Sequence, residues 1–117
     1  MNNSRVVCDF ETRSRLPIKE YGRDRYARDP STTALCFAYA VDDGVPALWL
    51  PGDAKPVFMP GSVLVAHNSE FEISIWNEVC VKQFGWDRTN VDDWDCTAAR
   101  AAHYNIPRDL DGAAKRL

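Results

Sequence analysis

The sequence predicts an α/β fold built on a mixed β-sheet with flanking helices. Short apolar runs separated by turn residues come first, and a later apolar run leads directly into a segment with helical periodicity. The early runs are expected to pair in antiparallel fashion, and the fourth is expected to lie parallel to the first. At 117 residues, the chain has the length of a single domain.

Four apolar runs carry the prediction of strands. Each run is short, rich in aliphatic or aromatic residues and bounded by polar or turn-forming residues, as buried strands are. Asp42-Asp43-Gly44 separates the second run from the third and predicts the turn of a hairpin. The predicted strands cover residues 5–10, 34–41, 45–50 and 62–67.

A helix is predicted directly after the fourth strand. The apolar residues between Phe71 and Val79 are spaced for one buried helix face. Asn68 or Ser69 can cap this helix, which we expect to continue through Cys80.

Proline, glycine and polar residues define the other segments. Residues 14–33 are predicted to be mostly loop, and three prolines exclude a regular helix from 51 to 60. Residues 91–94 predict a short strand, after which Asp95 is expected to cap a helix that runs to about His103. A last helix is expected to begin near Arg108 and to reach the end of these 117 residues without a stop signal, as if the chain were cut there.

Composition excludes several classes of protein. Hydrophobic residues make up 45% of the chain and charged residues 26%, which excludes intrinsic disorder and collagen-like repeats. A net charge of −3 argues against a general DNA-coating protein. The four cysteines show no zinc-ligand spacing. Without a membrane-spanning run or a secretory signal, the chain is expected to be soluble and intracellular.

Charge is distributed unevenly along the chain. Residues 5–28 contain seven basic and four acidic side chains, whereas residues 29–117 contain seven basic and thirteen acidic ones. The basic segment is explained either by a solvated loop or by a surface that binds a nucleic-acid backbone. In the second case, Tyr21 and Tyr26 could stack on bases.

Two carboxylates follow the first predicted strand. Asp9 and Glu11 are two residues apart, so the alternation of a strand points both side chains to the same side of the sheet. Their mutual repulsion would be relieved by a bound divalent cation, and carboxylate oxygens suit Mg²⁺ or Mn²⁺. The alternative is an ordinary pair of solvated acids at the end of a strand.

A second acidic cluster follows the fourth predicted strand, where a helix begins. Ligand sites in α/β sheets gather at the carboxyl ends of strands, so an acid here could face Asp9. Glu70 and Glu72 lie about 200° apart on a helix, which allows only one of them to point inward. The spacing alone does not choose between them.

Together, these motifs match a known family in their order along the chain. Residues 9–12 match its first motif, D-x-E-T, and residues 68–72 match its second, N-x-x-F-(D/E). Three further segments are similar to regions of the same family. The loop after the first motif corresponds to residues 17–27, the next hairpin to residues 35–44, and the region from W-x-D-T to L-P-x-S-L to residues 94–110. The sequence thus resembles the N-terminal proofreading 3′–5′ exonuclease domain of phage-type family A DNA polymerases, within the DEDD superfamily and its RNase H-like fold.

The resemblance implies two-metal hydrolysis of phosphodiester bonds at a DNA 3′ end, with Mg²⁺ or Mn²⁺ as cofactor. It implies single-stranded DNA as a partner, together with a polymerase portion or another chain, in the cytoplasm of a bacterial host or phage-infected cell. The catalytic metal ligands that it implies are Asp9, Glu11 and Glu72. The residues that it implies for substrate binding are Thr12, Leu16, Asn68 and Phe71.

The sequence departs from the family in three respects. Glu72 stands where many relatives have Asp, and the proline-rich residues 51–60 replace a segment that is usually helical. Beyond the second motif there is neither a Y-x-x-x-D nor an H-x-x-x-x-D pattern, which would supply the fourth ligand and orient the attacking water. The 117 residues are therefore expected to form a partial exonuclease domain with little or no turnover alone. The alternative is a non-catalytic nucleic-acid-binding or subunit-interaction fragment of the same fold.

Overall fold

A computed structural model describes residues 4–97. Within this range the chain forms one five-stranded sheet with the strand order β3-β2-β1-β4-β5. The strands are β1 (Arg5–Arg13), β2 (Thr33–Val41), β3 (Ala47–Trp49), β4 (Val63–Ala66) and β5 (Trp94–Cys96). The helices are α1 (Ile18–Arg28), α2 (Ser69–Ser74) and α3 (Val81–Phe84), with a π-helical segment (Ile75–Cys80) between α2 and α3 and a 3₁₀ helix (Val91–Asp93) before β5.

The sheet is mixed, as the sequence predicts. The central strand β1 pairs with β2 in antiparallel fashion and with β4 in parallel fashion. The outer pairs repeat this division, since β2 and β3 are antiparallel and β4 and β5 are parallel. Flanked by its helices, this arrangement is consistent with an RNase H-like α/β fold.

An aromatic core lies against one face of the sheet. Phe10 on β1 and Phe37 on β2 are paired across the sheet, with their ring centroids 4.6 Å apart. Trp76, from the π-helical segment, meets both rings edge-on and packs 4.8 Å from Trp86. These four side chains are at most 6% exposed, so this face supplies much of the apolar burial of the fold.

The predicted helix after β4 is present and extends further than expected. It begins at Ser69 and continues without interruption through Phe84, rather than ending at Cys80. Gly85, with a left-handed φ of 72°, terminates it. Asn68 occupies the capping position, but its side chain donates or accepts no capping hydrogen bond.

The prediction of a loop over residues 14–33 is wrong in its middle part, where α1 forms. Pro17 precedes the helix, a position at which its fixed φ and missing N–H are tolerated. Gly22 interrupts the helical geometry with a φ of 82° and divides α1 into two short turns. The buried residues Tyr26 and Ala27 hold the second turn against the rest of the molecule. Tertiary packing therefore overrides a weak local helical signal.

The prediction that Asp95 caps a helix is also wrong. Asp95 lies inside β5, and its carboxylate accepts a hydrogen bond from the Arg5 guanidinium at 2.7 Å. The short strand expected at residues 91–94 begins at Trp94 instead, because Asn90 and Asp93 form a capping box around the 3₁₀ helix. The helices predicted to reach His103 and to begin near Arg108 lie outside the described residues.

Two predictions about the connecting segments are also confirmed within residues 4–97. The segment from 51 to 60 contains no helix, and Asp42 and Asp43 lie in the turn that connects β2 to the segment before β3. The four cysteines are free, with Cys8 and Cys80 buried. No helix within residues 4–97 has the length and apolarity required to cross a membrane.

Candidate active site

The first two carboxylates lie on the face of β1 that the core does not use. Val6, Cys8 and Phe10 are buried, whereas Asp9 and Glu11 are exposed. This alternation is the period-two pattern of a strand with one packed face. The predicted juxtaposition of Asp9 and Glu11 on one side of the sheet is therefore present.

Glu72 reaches the same strand from α2. Its side chain is 5% exposed, and its Oε2 accepts a hydrogen bond from the backbone N–H of Phe10 at 3.2 Å. Since β4 is paired with β1 only as far as Val7, the Glu72 carboxylate satisfies an N–H that lies beyond this pairing. The third carboxylate thus joins β1 between the positions of the other two.

Electrostatics connects the three acids. Burial is the largest cause that raises the pKa of Glu72 from 4.5 to about 8; the negative charges of Asp9 and Glu11 add to this net shift, and the hydrogen bond from the Phe10 N–H opposes it. Burial and the nearby Glu72 raise the pKa of the Cys8 thiol to about 12, so this cysteine is an unreactive neutral group. The charges of Asp9 and Glu11 therefore disfavour ionisation of Glu72, and a cation bound near them would favour it.

Glu70 is directed away from this location. Its side chain is 63% exposed and forms an ion pair with Arg23 at 2.7 Å, which links α2 to α1. The helical geometry thus resolves the choice that spacing left open: Glu72 points inward and Glu70 points outward. Glu70 supplies a matched control for experiments on Glu72, because it is the same residue type in the same helical turn.

The donor set fits a hard divalent cation in its chemistry. Carboxylate oxygens are the ligands that Mg²⁺ and Mn²⁺ prefer, and Glu72 retains one oxygen beyond the one bonded to Phe10. In residues 4–97, no three His, Cys, Asp or Glu side chains stand close enough together to form a ligand cluster as they are.

Two of the residues expected to bind substrate are joined by a residue that the sequence did not single out for this role. The Tyr26 and Thr12 hydroxyls form a hydrogen bond of 2.7 Å, and the Tyr26 ring packs 6.2 Å from that of Phe71. Tyr26 is only 8% exposed, so the expectation that it stacks on bases is wrong. One indication of a role for Tyr26 is present in the sequence, namely its position in the basic segment. Its contacts could not be predicted, because Thr12 and Phe71 lie 14 and 45 residues away along the chain.

The other expected substrate-binding residues occupy different positions. Asn68, at the junction of β4 and α2, is exposed with a left-handed backbone (φ 62°), a conformation that Asn tolerates well. Leu16 is half-buried and lines a cavity of about 290 Å³ together with Arg25 and Arg28. The structure thus places Asn68 beside the carboxylate helix and Leu16 beside a basic surface.

Polar contacts of the residues that follow β4 connect the start of α2 to the last described residues. The imidazole Nδ1 of His67 lies 2.8 Å from the Thr97 hydroxyl, and the Ser69 N–H donates to the Cys96 sulfur at 3.3 Å. These contacts fix the start of α2 against the end of β5. They hold the backbone from which Glu72 projects.

Comparison with known proteins relates the chain to a viral replication enzyme. It is 31% identical over 120 aligned residues to a DNA polymerase of Bacillus phage SP02, an alignment that covers 96% of this chain. The chain spans 18% of the length of that polymerase. No family model matches the sequence. The chain is therefore similar to one region of a phage DNA polymerase.

Proposed function

We propose that this chain is part of a polymerase-associated 3′–5′ exonuclease, in which Asp9, Glu11 and Glu72 hold the catalytic metal ions. The observation that carries the proposal is the approach of a buried glutamate from α2 to the strand that bears two further carboxylates. Burying an acid next to like charges costs stability, and such arrangements cluster at functional sites. The similarity to a DNA polymerase supports DNA as the substrate.

The residues around the carboxylates have distinct roles in this proposal. Asp9 and Glu11 face solvent, where metal ions and a phosphodiester can enter, while Glu72 fixes the position of the ions relative to the sheet. Mg²⁺ or Mn²⁺ bound there would supply a nucleophilic water and stabilise charge on the leaving oxygen. Thr12 and Phe71, both in contact with Tyr26, form the surface on which the terminal nucleotide would lie.

Turnover by these 117 residues is expected to be low. The sequence beyond Glu72 lacks the Y-x-x-x-D and H-x-x-x-x-D patterns, so a fourth carboxylate and a group that orients the water are not supplied in that form. Metal binding is consequently a more sensitive test than hydrolysis.

Calorimetric titration with Mn²⁺ tests the proposal. The wild-type chain should bind the ion, and Asp9→Ala and Glu72→Ala should each bind at least about tenfold more weakly, since loss of a group that supports a metal site typically costs 10–100-fold. Glu70→Ala is the matched control and should bind like the wild type. Equal binding by all four proteins, or no binding by the wild type, would contradict the proposal. Tight binding of two ions by the wild type would show that Asp9, Glu11 and Glu72 form a complete metal site without a fourth carboxylate.

A nuclease assay with a 5′-labelled single strand completes the test. Any hydrolysis that belongs to the proposed site must disappear in Asp9→Ala, because that variant lacks a ligand. Equal degradation by the wild type and by Asp9→Ala would assign the activity to a contaminating nuclease.

A second function, binding of nucleic acid without chemistry, is favoured by exposed arginines next to the carboxylates. Arg13 is the last residue of β1, Arg15 lies two residues beyond it, and both line a cavity of about 800 Å³. If the chain binds single-stranded DNA but no Mn²⁺, this second function replaces the first.

A further inference from the structure

The structure separates the basic residues of the first 28 positions into two groups. Arg5 and Arg23 form ion pairs with Asp95 and Glu70, and these pairs connect elements of the fold. The second group is exposed and forms no ion pair in the part of the chain that the structure describes. Its four arginines are Arg13, Arg15, Arg25 and Arg28, which we call the arginine surface, and its remaining member is Lys19.

The arginine surface is continuous because two cavities share one wall. Arg13 and Arg15 line the cavity of about 800 Å³, and Arg25 and Arg28 line the cavity of about 290 Å³. Asp29 and Pro30 belong to both cavities. Four arginines from separate positions in the sequence therefore line two adjoining cavities.

Acidic groups offset this charge only in part. Asp29 is the acid that lines the cavities, and its carboxylate accepts hydrogen bonds from the backbone N–H and the hydroxyl of Ser31. These bonds lower the pKa of Asp29, so it remains ionised. Glu78 lies within electrostatic reach of Arg28, but its carboxylate is bonded to Lys82 at 2.8 Å. Excess positive charge is left on a protein whose net charge is −3.

The position of the arginine surface relates it to the carboxylates. Arg13 lies two residues beyond Glu11 on the same strand, a separation of about 7 Å between the Cα atoms. In the adjoining cavity, the guanidinium of Arg25 lies over the Tyr21 ring, 4.9 Å from the centroid. That ring is 38% exposed, so it presents an aromatic edge next to the positive charge.

We infer that the arginine surface binds the phosphates of single-stranded DNA upstream of a 3′ end that lies at Asp9, Glu11 and Glu72. Guanidinium groups recognise phosphate in a bidentate manner, and four of them leading away from the carboxylates match a polyanion better than a single anion. The inference rests on the proposed function for the location of the 3′ end. It adds the path of the strand and the four residues that bind it.

Salt dependence of binding measures these contacts directly. Binding of a 5′-fluorescein oligothymidylate in EDTA, followed by anisotropy between about 50 and 200 mM salt, gives a slope of about −0.7 per phosphate neutralised on a single strand. Arg13→Gln/Arg15→Gln and Arg25→Gln/Arg28→Gln should each flatten the slope by about 1.4 and weaken binding at the lowest salt about tenfold or more. The corresponding Lys variants keep the charge and should retain most of the slope.

Arg88→Gln is the matched control, because Arg88 is an exposed arginine that lines a different cavity. A loss of slope in Arg88→Gln that equals the loss per arginine in the double variants, about 0.7, or an unchanged slope in both double variants, would overturn the inference.

Oligonucleotides with neutral methylphosphonate linkages test the direction of the strand. Neutral linkages on the 5′ side should abolish the difference between wild type and the double variants, and neutral linkages at the 3′ end should leave it intact. The reverse pattern would overturn the inference. Because EDTA removes metal and hydrolysis from these measurements, failure of the exonuclease proposal appears only in the Mn²⁺ titration, whereas failure of the arginine surface appears only here.

Discussion

The two faces of β1 serve opposite purposes with alternate residues of one short strand. On one face, Val6, Cys8 and Phe10 are buried in the hydrophobic core. On the other face, Asp9 and Glu11 are exposed to solvent. The first face stabilises the fold through apolar burial, and the second carries charges that repel one another. Stability and chemistry can therefore change independently at neighbouring positions of the sequence.

Glu72 is the exception, because it combines burial with charge. It is as buried as a core residue, yet its carboxylate accepts a hydrogen bond from the backbone of β1 between Asp9 and Glu11. Glu72 is therefore the residue at which a change should affect both the stability of the fold and the chemistry of the carboxylates. The three predictions below test this comparison, starting from the largest expected effect.

Phe10→Ala should produce the largest change, a loss of about 3–5 kcal/mol in the free energy of unfolding. Phe10 is 4% exposed and its ring contacts Phe37, Trp76 and Trp86, so its removal leaves a cavity in the centre of the core. Urea denaturation followed by tryptophan fluorescence measures the effect. Asp9→Ala, one residue away, should change stability by less than about 1 kcal/mol, and equal losses in the two variants would remove the distinction between the faces.

Glu72→Gln should stabilise the metal-free protein in a pH-dependent manner. Because the pKa of Glu72 is raised from 4.5 to about 8 in the folded chain, its contribution to stability is fully present below pH 4.5 and is lost as the pH rises through 8. Glutamine does not ionise, so the variant and the wild type should be equally stable near pH 4. At pH 8 the variant should be more stable by up to about 4 kcal/mol, because each unit of the pKa shift corresponds to about 1.4 kcal/mol.

Thermal or urea denaturation at several pH values measures this difference, with Glu70→Gln as the control. Glu70 is largely exposed, and its substitution should give no comparable rise of stability with pH. A Glu72→Gln variant that is less stable than the wild type at pH 8 would show that the ionised carboxylate stabilises the fold. The same variant should lose Mn²⁺ binding, which would show that the cost in stability serves the site.

Tyr26→Phe should have the smallest effect on stability, about 0.5–1.5 kcal/mol, because it removes only the hydroxyl bonded to Thr12 and keeps the ring against Phe71. If Tyr26 positions Thr12 for a nucleotide, affinity for single-stranded DNA should fall while Mn²⁺ affinity stays unchanged. Thr12→Val should reproduce the loss of DNA affinity. Unchanged DNA affinity in both variants would limit this hydrogen bond to a structural role.

The sequence was most informative where short-range pattern decides structure. The alternation of apolar residues in β1 predicts the central strand, and the apolar spacing from Phe71 to Val79 predicts the long helix. Each pattern places the apolar side chains on one face of its element, and that face is buried. The same reasoning failed for α1, whose proline and glycine indicate a loop although two buried residues hold it as a kinked helix. It also failed for Asp95, whose partner Arg5 lies 90 residues away.

Only part of the candidate site could be predicted from the sequence pattern. Spacing placed Asp9 and Glu11 together, but it could not choose between Glu70 and Glu72; motif resemblance favoured Glu72, and the structure shows that this residue is the buried one. The Tyr26–Thr12 contact depends on how α1 packs against β1, which no local pattern encodes.

Paramagnetic broadening by Mn²⁺ in a ¹⁵N-labelled sample tests the central claim most directly, because it locates the ion instead of counting it. If Asp9, Glu11 and Glu72 form the metal site, the amide signals of residues 7–12 and 70–73 should broaden at the lowest Mn²⁺ concentrations, and Glu72→Gln should suppress this effect. Broadening that is centred on Asp42 and Asp43 or on Asp92 and Asp93, and that persists in Glu72→Gln, would contradict the claim.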